Sequence, residues 1–133
     1  MDAARRNFVR ERAGDRCEYC HLHQDHQSAV SLQLEHIVAN QHRKDDSPEN
    51  LALACLRCNL HKGTNLVGLD PQTGSVTPLF HPRQHVWCEH FEIRDGRIVG
   101  STAIGRTTAT LLQMNTPDRI ELRLALAAAG LWR

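Results

Sequence analysis

Rings are scarce in this chain: two Trp, one Tyr and three Phe amount to 5% of its residues. The core must then be filled by Leu, Ala, Val and Ile, and binding of single strands by stacking successive bases on aromatic platforms is unsupported. Trp87, Phe91 and Trp132 are expected to serve packing. No run of about 18 apolar residues occurs, which excludes a membrane-spanning helix, and the charged residues right after Met1 lack the form of a secretory leader. An excess of one charge sign is missing as well, with 16 Lys and Arg against 15 Asp and Glu. The formal net charge of +1 supplies no global pull toward phosphate, so any nucleic-acid footprint must be local. Internal repeats and low-complexity tracts are also absent. With 133 residues, the expectation is one soluble, cytoplasmic domain over 1–133.

What the chain does have is cysteine in a particular arrangement. Four of the five cysteines stand as two C-x-x-C pairs, Cys17/Cys20 and Cys55/Cys58. Two sulfurs two residues apart can turn toward one ion, and two such pairs complete a tetrahedral shell for zinc. A redox C-x-x-C needs one pair beside a βαβ pattern, which is missing here. A small core with few rings benefits from such a staple. If all four ligands are sulfur, the shell is closed and no water can bind the ion, so this zinc is structural and any catalysis must use other residues. The fifth, Cys88, lies near His81, His85 and His90 without a ligand spacing and reads as a small core residue.

Basic and apolar residues alternate over 2–13 up to Gly14, predicting an N-terminal helix with Phe8 and Val9 available for packing. Residues 21–28 read as a polar, His-rich loop. Alternation over 31–38 predicts a strand with Leu32 and Leu34 on one face and Gln33 and Glu35 on the other. Leu51, Leu53 and Cys55 predict a second strand, and a helix is expected to open at Asn59 and end near Gly63. Beyond Asn65, Asp70 to Gly74 reads as a turn, Asp95-Gly96 as the tip of a hairpin, and Thr116-Pro117 as the start of a last helix carrying Ile120, Leu124 and Ala127/Ala128. The order is that of an α+β domain.

Between the cysteine pairs stands Leu34-Glu35-His36-Ile37, and around the second pair stands Glu49-Asn50 through Cys55-Leu56-Arg57-Cys58-Asn59-Leu60-His61-Lys62-Gly63. Together these resemble HNH endonucleases whose ββα-metal motif is held by two zinc-binding C-x-x-C pairs. The resemblance covers 14–66 and leaves 67–133 as a C-terminal extension, with hairpin and helix, packing on that core. It implies a phosphodiester hydrolase acting on DNA, possibly RNA, in which a divalent ion opposes a deprotonated water across the phosphorus. His36 matches the general base, a role suited to an imidazole at neutral pH. Glu35 and Asn59 match the ligands of the catalytic Mg2+ or Mn2+, as oxygen donors suit hard ions. Asn50 matches the asparagine that fixes the loop and orients the base. Lys62 could hold a phosphate or pair with an acid, and His61 could touch substrate or stand solvated.

Glu35 where many relatives carry Asp, and Asn59 where they carry His, leave a second reading open: a non-catalytic, zinc-supported nucleic-acid-binding module. Retention of His36 argues against it. Arg5, Arg6, Arg10, Arg12 and Arg16 could track phosphates or form a solvated helix face diluted by Asp2, Glu11 and Asp15.

Overall fold

The computed structural model describes residues 1–27 and 30–132, so the end of the expected 21–28 loop lies outside the described residues. Two compact units emerge: one from Met1–Leu66 with His81–His85, the other from Val67–Phe80 with Val86–Arg133.

In the first unit, helix α1 spans Ala3–Ala13. The Asp2 carboxylate accepts from the Arg5 amide at 2.8 Å, and Gly14 ends the helix in the left-handed region at φ 63°. Val9 is buried, while Phe8 stays exposed under the Arg12 guanidinium. Strand β1 (Gln33–His36) pairs antiparallel with β2 (Leu51–Ala54), setting Glu35 opposite Ala52 and His36 opposite Leu51. Every residue of β2 is buried. Arg12 secures α1 to this strand, its guanidinium donating to the carbonyls of Pro48 at 2.9 Å and Leu51 at 2.6 Å.

Helix α2 runs Leu56–Lys62 and starts three residues before its expected opening at Asn59, because Cys55 caps it. The Cys55 sulfur accepts from the Cys58 amide at 3.4 Å, so the second cysteine pair is itself the first turn of the helix. Gly63 closes it at φ 53°, its amide bonding to the Asn59 carbonyl at 3.0 Å. Strand, strand and helix thus form a ββα unit with the cysteines at its entrance, the α+β, ββα-metal architecture expected from the sequence.

The second unit holds β3 (Val67–Leu69) with β4 (Val76–Pro78), α3 (Trp87–His90), β5 (Phe91–Arg94) with β6 (Arg97–Gly100), α4 (Ala103–Leu111) and α5 (Pro117–Ala128). Asp95 and Gly96 turn the second hairpin at φ 51° and 76°, as its dipeptide predicts. The turn expected at 70–74 proves to join two paired strands, and α3 and α4 were not foreseen. Helix α4 carries Gly105 and the β-branched Thr107 and Thr108, poor helix formers that hide its period. A methyl group at Gly105 would meet the His90 carbonyl oxygen at 2.0 Å, so packing accounts for that glycine. On α5 the buried residues are Arg123 and Leu126, whereas Leu124 is exposed. The apolar spacing pointed to the wrong face because Arg123 is drawn inward by the carbonyls of Gly96 and Met114, each at 2.6 Å. Phe91 is buried and packs on Trp87 and Phe80, as expected of packing rings. Cys88, expected in the core, is exposed: it falls on the outer side of the four-residue helix α3.

No helix among the described residues is long and apolar enough to cross a membrane.

Candidate active site and metal centre

Cys17 and Cys20 sit in a tight turn stitched by a bridge between Arg16 and His23, with the Cys17 amide bonded to the Leu22 carbonyl at 2.9 Å. Cys55 and Cys58 come from the start of α2. All four are buried, and their sulfurs lie within 4.8 Å of one another. A tetrahedron with Zn–S bonds of about 2.3 Å has edges of about 3.8 Å, and the Cys20–Cys55 separation is 3.8 Å. Each pair also carries the amide-to-sulfur bond of a metal knuckle, 3.5 Å within the first and 3.4 Å within the second. Burial raises the Cys17 thiol well above its ordinary value, while hydrogen bonds from Cys17, then Cys20 and Cys58, pull Cys55 down. Four buried sulfurs packed around a shared centre suit a soft cation. The donor set fits structural zinc. Among the described residues this is the group of His, Cys, Asp and Glu side chains whose ligand atoms converge.

A short distance along β1, a cleft of about 240 Å³ is lined by Leu34, Glu35, His36, Ala39, Asn40, Asn59 and Gly63. Glu35, His36 and Asn59, expected at the catalytic centre, therefore share one depression. The Glu35 side chain is only 3% exposed. One of its oxygens accepts from the Tyr19 hydroxyl, and the other lies 3.3 Å from the Lys62 ammonium. Burial raises the Glu35 carboxyl above its usual value, against the opposing pull of Lys62 and Tyr19. Tyr19 itself is fully buried, and burial pushes its hydroxyl up. A carboxylate offers about four lone-pair sites, so two partners leave room for a cation. Together with the Asn59 amide the donors are hard oxygens, and the set fits Mg2+ or Mn2+ with a carboxylate whose charge is partly balanced by Lys62.

Asn59 is held by its own amide, which donates from α2 to the Gln33 side chain on β1 at 2.9 Å. Asn50 is buried and closes the loop between the strands: its oxygen accepts from the Val38 amide at 2.9 Å, and its nitrogen donates to the carbonyls of Val38 and Asp45 at 3.0 and 2.8 Å. Lys62 follows the acid-pairing alternative. Its ammonium is buried, donating to the Ile37 carbonyl at 2.8 Å beside Glu35. His61 stands half-buried on the last turn of α2, outside the lining of the cleft.

Two groups escaped the sequence reading. Tyr19 is the hidden partner of Glu35; its place inside the first cysteine pair was the available signal. Asp46 accepts from His36 Nε2 at 2.7 Å. That hydrogen bond is the largest cause of a lowered Asp46 carboxyl, and an aspartate, ionised at neutral pH by its ordinary value, can only accept. Nε2 therefore carries the proton, leaving Nδ1 as the basic nitrogen. The adjacent acids Asp45 and Asp46 were the clue, but loop sequence does not say which one turns inward. Arg83, from the short return of the chain into this unit, is ion-paired with Glu18, whose second oxygen accepts from the Leu53 amide at 2.8 Å.

Residues 17–65 match the family model described as HNH endonuclease. The chain is 27% identical over 116 residues to the Septu protein PtuB of Bacillus thuringiensis, an alignment covering 83% of this chain and 40% of that protein. The chain thus spans well under half the length of this relative. No solved structure matches. The family match implies a nuclease or nucleic-acid-binding function, with zinc held by the four cysteines.

Proposed function

We propose that the first unit is a divalent-metal-dependent endonuclease that hydrolyses DNA phosphodiester bonds, with His36 as general base. The observation that supports this most directly is the joint presence of His36, Glu35 and Asn59 around one open cleft, with His36 already hydrogen-bonded to an ionised Asp46. A phosphodiester seated in the cleft meets a water held by His36 Nδ1, which takes the proton as the oxygen attacks phosphorus. Asp46 keeps the imidazole in the tautomer that can do this and stabilises the imidazolium that forms. Asn50 holds the loop that carries Asp46, through the Asp45 carbonyl and the backbone of Val38. Glu35 and Asn59 would hold the divalent ion, which supplies positive charge to the phosphate and the leaving oxygen. Tyr19 and Lys62 fix the Glu35 carboxylate against the sheet, and the cysteine cage fixes the start of the helix that presents Asn59.

The test is plasmid nicking with added magnesium beside zinc analysis. His36→Ala should abolish nicking, a loss of at least about 100-fold for a general base, with zinc content and thermal stability unchanged. Wild-type rates in the folded, zinc-loaded variant would refute the assignment. If the wild-type chain binds DNA but never cuts it with magnesium or manganese, the zinc-supported binding module is the correct reading.

A further inference from the structure

A second depression in the same unit is larger, about 380 Å³, and is lined by Met1, Arg6, Arg10, Leu32, Gln33 and Leu34. It adjoins the His36 cleft. Leu34 lines both, and Gln33 in this one is hydrogen-bonded to Asn59 in the other. Its lining contains two guanidinium groups and no acid. Asp2, at the start of α1, is turned back as its cap. Neither Arg6 nor Arg10 makes an ion pair among the described residues. Arg10 donates to the Leu32 carbonyl at 3.1 Å, which holds its guanidinium over the floor of the depression. The helix that carries both arginines is secured to β2 through Arg12, so the cationic groups stand on a rigid element. Guanidinium groups with donors to spare, in a concavity without counter-charge, suit a phosphate oxygen.

We propose that this depression is a phosphate subsite, in which Arg6 and Arg10 hold the backbone of the DNA strand beside the phosphodiester at His36. The proposal rests on the nuclease reading for its substrate. Spacing supports it: from Gln33 to His36 the strand advances about 10 Å, the axial rise of roughly three nucleotides in one strand of a duplex. A strand running along β1 would place one phosphate at His36 and another, a few nucleotides away, at Arg6.

The test measures binding apart from cleavage, using the zinc-loaded full chain with His36→Ala and a fluorescein-labelled DNA duplex, by anisotropy across a series of salt concentrations. Arg6→Gln should weaken binding severalfold and make the plot of log affinity against log salt shallower by about 0.9, the value of one lost phosphate contact. Arg6→Gln with Arg10→Gln should lower the slope further. Arg97→Gln, an exposed arginine of the second unit, should change neither quantity. Equal slopes for the Arg6 variant and its parent, or an equal loss for Arg97→Gln, overturns the subsite while leaving the nuclease reading intact. Failure of the parent to bind DNA at any salt overturns both.

Discussion

Replacing Lys62 by Met removes the cation that is ion-paired with the buried Glu35 carboxylate. The side chains of Glu35 and Lys62 are each 3% exposed and lie 3.3 Å apart. At an effective dielectric of about 20 their attraction is about 5 kcal/mol, and leaving a buried carboxylate uncompensated typically costs about 3–5 kcal/mol. With a urea slope of about 2 kcal/mol per molar, the unfolding midpoint should fall by roughly 2 M. The pH dependence carries a second signature. Burial already raises the folded Glu35 carboxyl, and Lys62 is the largest influence opposing that rise. Without it the folded value climbs further, so the folded state retains a proton that the unfolded state gives up above about 4.3. Stability of the variant should then fall as pH rises through that widened window, by at most about 1.4 kcal/mol per pH unit. Adding Glu35→Gln should recover part of the loss and flatten the profile. Urea titrations of zinc-loaded protein between pH 5 and pH 8, in about one-unit steps to resolve that slope, would measure both effects. A midpoint shift worth under about 1 kcal/mol, with no dependence on pH, would show that the pair is not the structural element described.

Cys55→Ser should lower zinc content and thermal stability together, because structural zinc contributes roughly 10 kcal/mol or more of apparent binding free energy to small units of this kind; a variant that melts like wild type with full zinc would exclude the four-sulfur site. Brief EDTA treatment should stop nicking while zinc stays bound and the fold persists, and magnesium or manganese alone should restore it, with Asn59→Ala needing more of the added ion; recovery that requires zinc would end the division of labour between two metals. Asp46→Ala should lower kcat about 10-fold or more with KM little changed, since it loosens the base without touching the substrate, and Asp46→Glu should restore part of the rate; a change confined to KM would remove Asp46 from this role.

The sequence by itself determined the parts that depend on local spacing. Two C-x-x-C pairs, an Asp-Gly turn, a glycine ending α1 and a proline opening α5 each act within a few residues, and each is found where its spacing put it. The residues placed at the catalytic centre by resemblance could be named, but not their partners. Glu35 reads as one face of an alternating strand, yet it is buried because Tyr19 and Lys62, distant along the chain, converge on it. Lys62 left two alternatives, phosphate or acid, and only the packing of α2 on β1 selected the acid. Asp46 was hidden beside its neighbour Asp45, and only the closed loop, held by Asn50, sets Asp46 against His36 while the Asp45 carboxylate accepts from the Ser47 amide. Which groups exist is a property of the sequence. Which of them lose water and meet an opposite charge is decided by tertiary structure, because desolvation and Coulomb energy depend on distances that no local pattern contains.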